Sequence, residues 1–187
     1  MKFLFDLDKS IAATAYLIRK NRGAWNVLPI VKTLYLANRT SLVRYGRSIT
    51  GDRLISMKSG TNVSETYDLI NSSTHAKPEH LKKWKTLFVR EHNTVKPVAG
   101  SNPNLDCLSG REIQLLDEAY SVIVKVKGRL DFWSHNYFPE WEEPTGFSKS
   151  TTNDPKKILE IEKKSSQEID DIEEEIASVN WIKSIAG

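Results

Sequence analysis

Residues that could do chemistry are scattered along this chain rather than grouped. Four histidines, His75, His80, His92 and His135, are candidates for metal ligation or acid–base work, since imidazole titrates near neutrality. A zinc site needs several ligands at short, regular spacing. His75 and His80 are five residues apart across a proline loop and lack Cys, Asp or Glu companions at such spacing. All four read as surface histidines. Cys107 is the single cysteine, which rules out an internal disulfide framework and fits a reducing cytoplasm. It has no zinc-spaced partner and reads as a packing or surface residue. Glu112, Asp117 and Glu118 fall on one predicted helix, but nothing pairs them with a nucleophile, so they read as solvent-facing. There is no phosphate loop, dinucleotide fingerprint or nucleophile elbow. We therefore expect a protein that is not an enzyme, with no catalytic residue, no metal and no cofactor.

Three polar residues stand out for where they sit. A helix spanning Val31 to Tyr45 puts Val31, Leu34, Tyr35, Asn38, Leu42 and Tyr45 on one face at steps of three and four. Asn38 is an amide within that apolar stripe, so it must find hydrogen-bond partners and pin whatever packs over the helix. Lys32 falls beside Leu36 and Arg39, off the stripe, and reads as one half of an intramolecular salt bridge. His135 lies in Phe132–Trp141, which holds five aromatic rings besides the imidazole. An exposed recognition patch is one reading, because interfaces favour Trp and Tyr. The favoured reading is a core corner in which His135 makes two hydrogen bonds and fixes the following loop.

The elements that must carry these residues read as helices with small β insertions. Asp8 can cap a first helix running to about Arg22, which Gly23 ends. Asn26 or Leu28-Pro29 starts the second, and Gly46 stops it before a Thr50-Gly51-Asp52 turn. Residues 53–57 form a short strand, and a third helix starts at Asn62 or Ser64 and runs through Ile70. Residues 75–80 read as loop, and Trp84–Val89 with Val95–Val98 as a hairpin in which Pro97 marks an edge or an end. Ser109 with Glu112 is a capping box opening a helix with Ile113, Leu116, Ala119, Tyr120, Ile123 and Val124 inward, closed by Gly128. Leu130–Tyr137 reads as a short helix with inward aromatics, and Pro139–Ser150 as irregular. Asp154-Pro155 starts a helix to about Lys163, and an acidic helix covers about 165–184 with Ile169, Ile172, Ile176, Val179 and Ile182 inward. Its acidic run, Glu168–Glu175, reads as a solvated face. The fold class is thus mostly α, a single compact helical domain with one or two small β-hairpins inserted between helices.

Lys32-Thr33-Leu34-Tyr35-Leu36-Ala37-Asn38, followed by Gly46-Arg47-Ser48-Ile49-Thr50-Gly51-Asp52, resembles the opening signature of the Panacea domain, the SocA-like, phage-associated antitoxin domain. Leu108-Ser109 through Glu118 is similar to the family's late helix, and His135 with Trp141 to its His-to-Trp motif. The resemblance spans about residues 8–178. It departs at Asn38, where an acidic residue is common, at Ser59-Gly60-Thr61, where Gly-Pro is common, and in the spacer between His135 and Trp141. It singles out Lys32, Tyr35, Asn38, Gly46, Thr50, Gly51, Asp52, His135 and Trp141 as signature positions, structural or partner-binding. What it implies is an antitoxin that neutralises a co-encoded toxin by direct protein–protein binding. An adaptor that hands the toxin to a cellular protease is the alternative within that class. The implied setting is bacterial or phage-encoded and cytoplasmic.

Composition agrees with that class. A chain of 187 residues with 39% hydrophobic and 27% charged residues suits one sizeable core. No apolar run approaches the roughly 20 residues that cross a bilayer, so no membrane insertion is expected. The net charge of +3 hides an asymmetry: residues 151–187 hold nine acids against five bases. The basic excess of the remainder is diffuse, whereas nucleic-acid binding wants clustered cations. A DNA-binding autoregulator would need exposed Arg, Lys or Asn on one helix face. Arg39 and Arg44 are available, but Asn38 is on the apolar side, so nucleic acid is not the expected partner.

Overall fold

The computed structural model describes residues 1–146 and 148–186; Phe147 and Gly187, within the stretches read above as irregular and C-terminal, lie outside the described residues. The molecule is organised around one helix, α2 (Val27–Tyr45). Its first turn carries Pro29, whose missing N–H costs nothing there. Its end is set by Gly46 at φ 65°, a left-handed conformation that glycine adopts without strain. The expected single stripe is too narrow a description. Every residue from Ile30 to Asn38 is buried. Tyr45 is the exception, 40% exposed with the Arg111 guanidinium 4.6 Å over its ring.

Burial all round follows from what surrounds α2. One side packs along α5 (Gly110–Ile123), and α1 (Leu7–Lys20) crosses both. The Ser109–Glu112 capping box opens α5 as expected, but the helix stops at Ile123, before Gly128, and Val124 is exposed. Its carboxylates are not idle: Glu112 pairs with Lys9, Asp117 with Lys20, and Glu118 with Arg44. α1 is capped by Asp6, which accepts from the Lys9 N–H, and not by Asp8, which lies within the first turn. The last residue in extended conformation before the turn is Asp6, so its carboxylate alone can reach back to the free N–H groups.

The other side of α2 meets a three-stranded antiparallel sheet in the order β3-β2-β6, formed by β2 (Leu54–Met57), β3 (Gly60–Val63) and β6 (Ser150–Thr152). β2 and the start of α3 (Ser64–Ile70) at Ser64 match expectation, whereas β3 is not in the sequence reading and Asn62, the other expected helix start, lies within that strand. β6 does not appear in the sequence reading, because Ser-Thr-Thr carries no apolar alternation and its strand is defined by pairing with residues 55–57. A second sheet, β1-β5-β4, joins β1 (Trp25–Asn26), β5 (Thr94–Pro97) and β4 (Phe88–Glu91). Pro97 sits at the end of its central strand, beyond the reach of β1.

Trp84–Leu87 is helical, not strand. α4 (Pro78–Leu87) starts on Pro78 inside the expected loop. Leu81, Trp84 and Phe88 recur at three and four, and Trp84 is buried against Phe88 with ring centroids 4.6 Å apart. α6 (Leu130–Tyr137) has the expected limits but only part of the expected face: Trp133 packs partly buried against the core, Phe132 and Tyr137 are exposed, and the fully buried ring is Phe138, just past its end. α7 (Pro155–Ile161) lies on α2, and α8 (Ser166–Ala186) follows. Ile169 and Ile176 are buried as expected, but Val179 and Ile182 are exposed. The chain is therefore mostly helical, with eight helices and two small antiparallel sheets among the described residues.

Candidate functional site

α2 carries three polar groups into the core, and each fixes a different segment laid across it. The first is Lys32. Its side chain is completely buried, yet no carboxylate bridges it; Nζ donates to the Ser59 carbonyl at 2.7 Å and to the Thr61 carbonyl. The salt bridge expected from sequence is replaced by two backbone acceptors in the β2–β3 turn. Gly60 lies between them at φ 87°, and a methyl group there would overlap the Ser134 hydroxyl of α6. Burial pulls the Lys32 ammonium down to about 7, against a smaller opposing effect of Asp131.

The second group is Tyr35 with Arg39. Glu140, with a side chain only 1% exposed, accepts from the Tyr35 hydroxyl at 2.8 Å and takes a two-pronged bond from Arg39, Nε at 2.7 Å and Nη2 at 3.0 Å. Arg39 also reaches Glu162 at 2.7 Å. Asn153 Nδ2 donates to the Tyr35 oxygen at 2.8 Å, and Ser56 Oγ donates to Asn153 Oδ1 at 2.7 Å. One connected network thus ties α2 to β2, to the loop after α6 and to the start and end of α7. Burial, then Glu140, raise the Tyr35 phenol well above its ordinary range. For Arg39 burial is the largest single effect and opposes the charge, but the hydrogen bonds to Glu140 and Glu162 and the attraction of both carboxylates together outweigh it and hold the guanidinium protonated.

Asn38 is the third. Its Oδ1 accepts from Ser48 Oγ at 2.8 Å, the Thr50 N–H at 2.9 Å and Thr50 Oγ1 at 3.2 Å, while Nδ2 donates to the Leu34 carbonyl at 2.8 Å. The amide oxygen takes three bonds and the nitrogen gives one, and the side chain pins the Gly46–Asp52 loop, as its position in the stripe requires. Asp52 then accepts from the N–H groups of Glu65 and Thr66, both at 2.8 Å, and from Thr66 Oγ1 at 2.6 Å. It therefore caps α3 from outside the helix. Burial and then the neighbouring Glu65 push its carboxyl up, while the hydrogen bond with Asp52, and after it those from Arg53, hold Glu65 at about 2 despite its own burial.

The two signature glycines admit the chain's ends. A Cβ on Gly46 would lie 2.8 Å from Ile172 Cγ1 of α8. One on Gly51, at φ 65°, would overlap the Leu4 carbonyl of the N-terminal segment, which the Asp6 N–H to Thr50 carbonyl bond of 2.8 Å holds in place.

His135 and Trp141 stack with ring centroids 4.0 Å apart, 21° from parallel. Trp141 Nε1 donates to the Met57 carbonyl at 3.1 Å, which docks the post-α6 loop on β2. His135 does not make the two expected hydrogen bonds: its buried Nε2 has no partner, and its contribution is the stacked face. The nine signature residues therefore form three joints along α2 and a fourth at the loop beside β2. They do not converge on one concave centre. Among the described residues, no three His, Cys, Asp or Glu side chains come close enough to share a metal ion. Glu140, Asn153 and the structural role of Arg39 escaped the sequence reading. Arg39 could have been found from its place one turn beyond Tyr35; the buried carboxylate more than a hundred residues away has no local signal.

The family model for the antitoxin SocA-like Panacea domain matches residues 30–142. The chain belongs to this family. No curated protein and no solved structure matches it. The matched stretch of this Panacea domain begins in the first turn of α2 and ends just past Trp141. It contains every signature residue, together with Arg39 and Glu140. It leaves out α1, β1, β6, α7 and α8, and also Asn153 and Glu162. No described helix is long and apolar enough to cross a membrane.

Proposed function

We propose that this protein is an antitoxin that neutralises a co-encoded toxin by direct, stoichiometric binding. The observation that carries the reading is the family match over residues 30–142. The polar groups fit it as structural joints: Lys32, Tyr35, Asn38 and Asp52 spend their hydrogen bonds on holding the fold, which leaves exposed surfaces to do the recognition. The protein acts as a single domain, in the cytoplasm, without cofactor or catalysis. Nucleic acid suits α2 poorly as a partner. Arg39 is held by Glu140 and Glu162, and the half-exposed Arg44 pairs with Glu118, so α2 offers no cluster of free arginines to a phosphate backbone.

Co-expression with each neighbouring gene tests the reading. A neighbour that arrests growth alone and permits growth with this protein is the expected result, with the two proteins co-purifying. Failure to rescue growth from any toxic neighbour sinks it. Rescue that needs a cellular protease, with loss of the toxin, would assign the adaptor mechanism instead.

A further inference from the structure

α8 has two faces of different kind. Ile169, Ile172 and Ile176 turn toward the protein. The opposite face carries Asp170, Asp171, Glu174, Trp181, Ile182 and Ile185 at helical spacing, all of them exposed. Trp181 and Ile185 are each 65% exposed and Ile182 55%. Large apolar side chains clustered at that exposure on successive turns mark an interaction surface more often than a solvated one. The helix carries six carboxylates and one lysine. Glu168, Glu173 and Glu175 are paired with Lys164, the Met1 amino group and Arg47. Asp170, Asp171 and Glu174 make no ion pair among the described residues. The outer face is thus graded along its length, acidic first and apolar after.

We propose that this face of α8 docks a basic, amphipathic helical segment of a partner protein, which, resting on the antitoxin reading, is the toxin. Cations of the segment lie against Asp170, Asp171 and Glu174, and its apolar side chains close over Trp181, Ile182 and Ile185. The charge pattern selects this occupant over others. A second copy paired in parallel would set acid against acid, and paired antiparallel would set carboxylates against Trp181 and Ile185. An anionic bilayer would be repelled by the same carboxylates. The surface lies outside the matched residues 30–142.

The test uses the full chain and a fluorescein-labelled helical peptide with leucines along one edge and lysines elsewhere. A counterpart with glutamates for the lysines is the control. Anisotropy should report binding of the lysine peptide, weakened about tenfold or more by Trp181→Ala with Ile185→Ala and, separately, by Asp170→Lys with Asp171→Lys and Glu174→Lys. All five side chains are exposed, so circular dichroism should show unchanged folds. No binding, equal binding of the glutamate peptide, or equal binding by the variants overturns the proposal. So does a wild-type dimer in light scattering that the Trp181/Ile185 variant turns to monomer, which would make a second copy the occupant. In the co-expression assay, rescue by wild type and not by the variants supports it. Rescue by all three proteins overturns it and leaves the antitoxin reading standing. Rescue by none removes the toxin as partner, and the peptide result alone then decides whether the surface docks a basic helix.

Discussion

Replacing Glu140 with alanine should be among the most damaging single changes in this protein. The carboxylate is almost wholly buried and receives three hydrogen bonds, one from Tyr35 and two from Arg39. Its removal leaves a guanidinium whose side chain is 11% exposed with only Glu162 to answer it. Breaking a buried ion pair from one side typically costs about 3–5 kcal/mol, because the surviving charge stays desolvated. Glu162 offsets part of this, while the orphaned Tyr35 hydroxyl adds to it, so about 3 kcal/mol is the expected loss. For a chain of this length that lowers the melting temperature by about 6–12 °C. Urea unfolding followed by circular dichroism should show the midpoint falling with the slope unchanged. The triple change Tyr35→Phe, Arg39→Met and Glu140→Leu should cost less than Glu140→Ala, because no buried charge is left alone. A loss below about 1 kcal/mol for Glu140→Ala, or a triple variant worse than the single, would refute the reasoning.

Other changes probe the remaining joints. Lys32 binds a proton less readily folded than unfolded, so stability should rise with pH from about 7 toward its ordinary value of 10.5. The slope should approach about 1 kcal/mol per pH unit and vanish in Lys32→Met; urea titrations at several pH values read it. Gly51→Ala should free the N-terminal segment, because the added methyl overlaps the Leu4 carbonyl, and hydrogen exchange of the Asp6 N–H, which is bonded to the Thr50 carbonyl, should rise while that of α2 is unchanged. Asp52→Ala should remove the acceptor for two N–H groups at the start of α3 and cost about 1–2 kcal/mol, measured by thermal melting.

What the sequence made legible was local. Gly46 ended α2, Ser109 with Glu112 opened α5, and Asp154-Pro155 opened α7, because each signal acts within one turn of itself. Asn38 was readable as a pin, since a polar amide in an apolar stripe has few other uses. What stayed hidden depended on distant chain. β6 exists only because β2 offers it an edge, and Glu140 has no meaning until Tyr35 and Arg39 arrive beside it. Pro78 fits a loop by local signal and starts a helix in the fold, a choice that the burial of Trp84 decides. The aromatic run 132–141 could not be oriented, because Phe132 and Phe138 differ only in which side α2 occupies.

The polar groups of α2 also bear on how the chain can vary. Each outer segment is fastened to the central helix at a point, by Lys32 at the β2–β3 turn, by Tyr35 and Arg39 at Glu140 and again at Asn153 through Tyr35, and by Asn38 at Thr50. Residues 143–149, between the fastenings at Glu140 and Asn153, carry little of the core, with only Pro144 buried among those described. Chain can therefore be inserted or exchanged there while both ends stay located. The spine behaves as a row of anchorages from which separate loops hang, and surface novelty at one loop need not disturb the next.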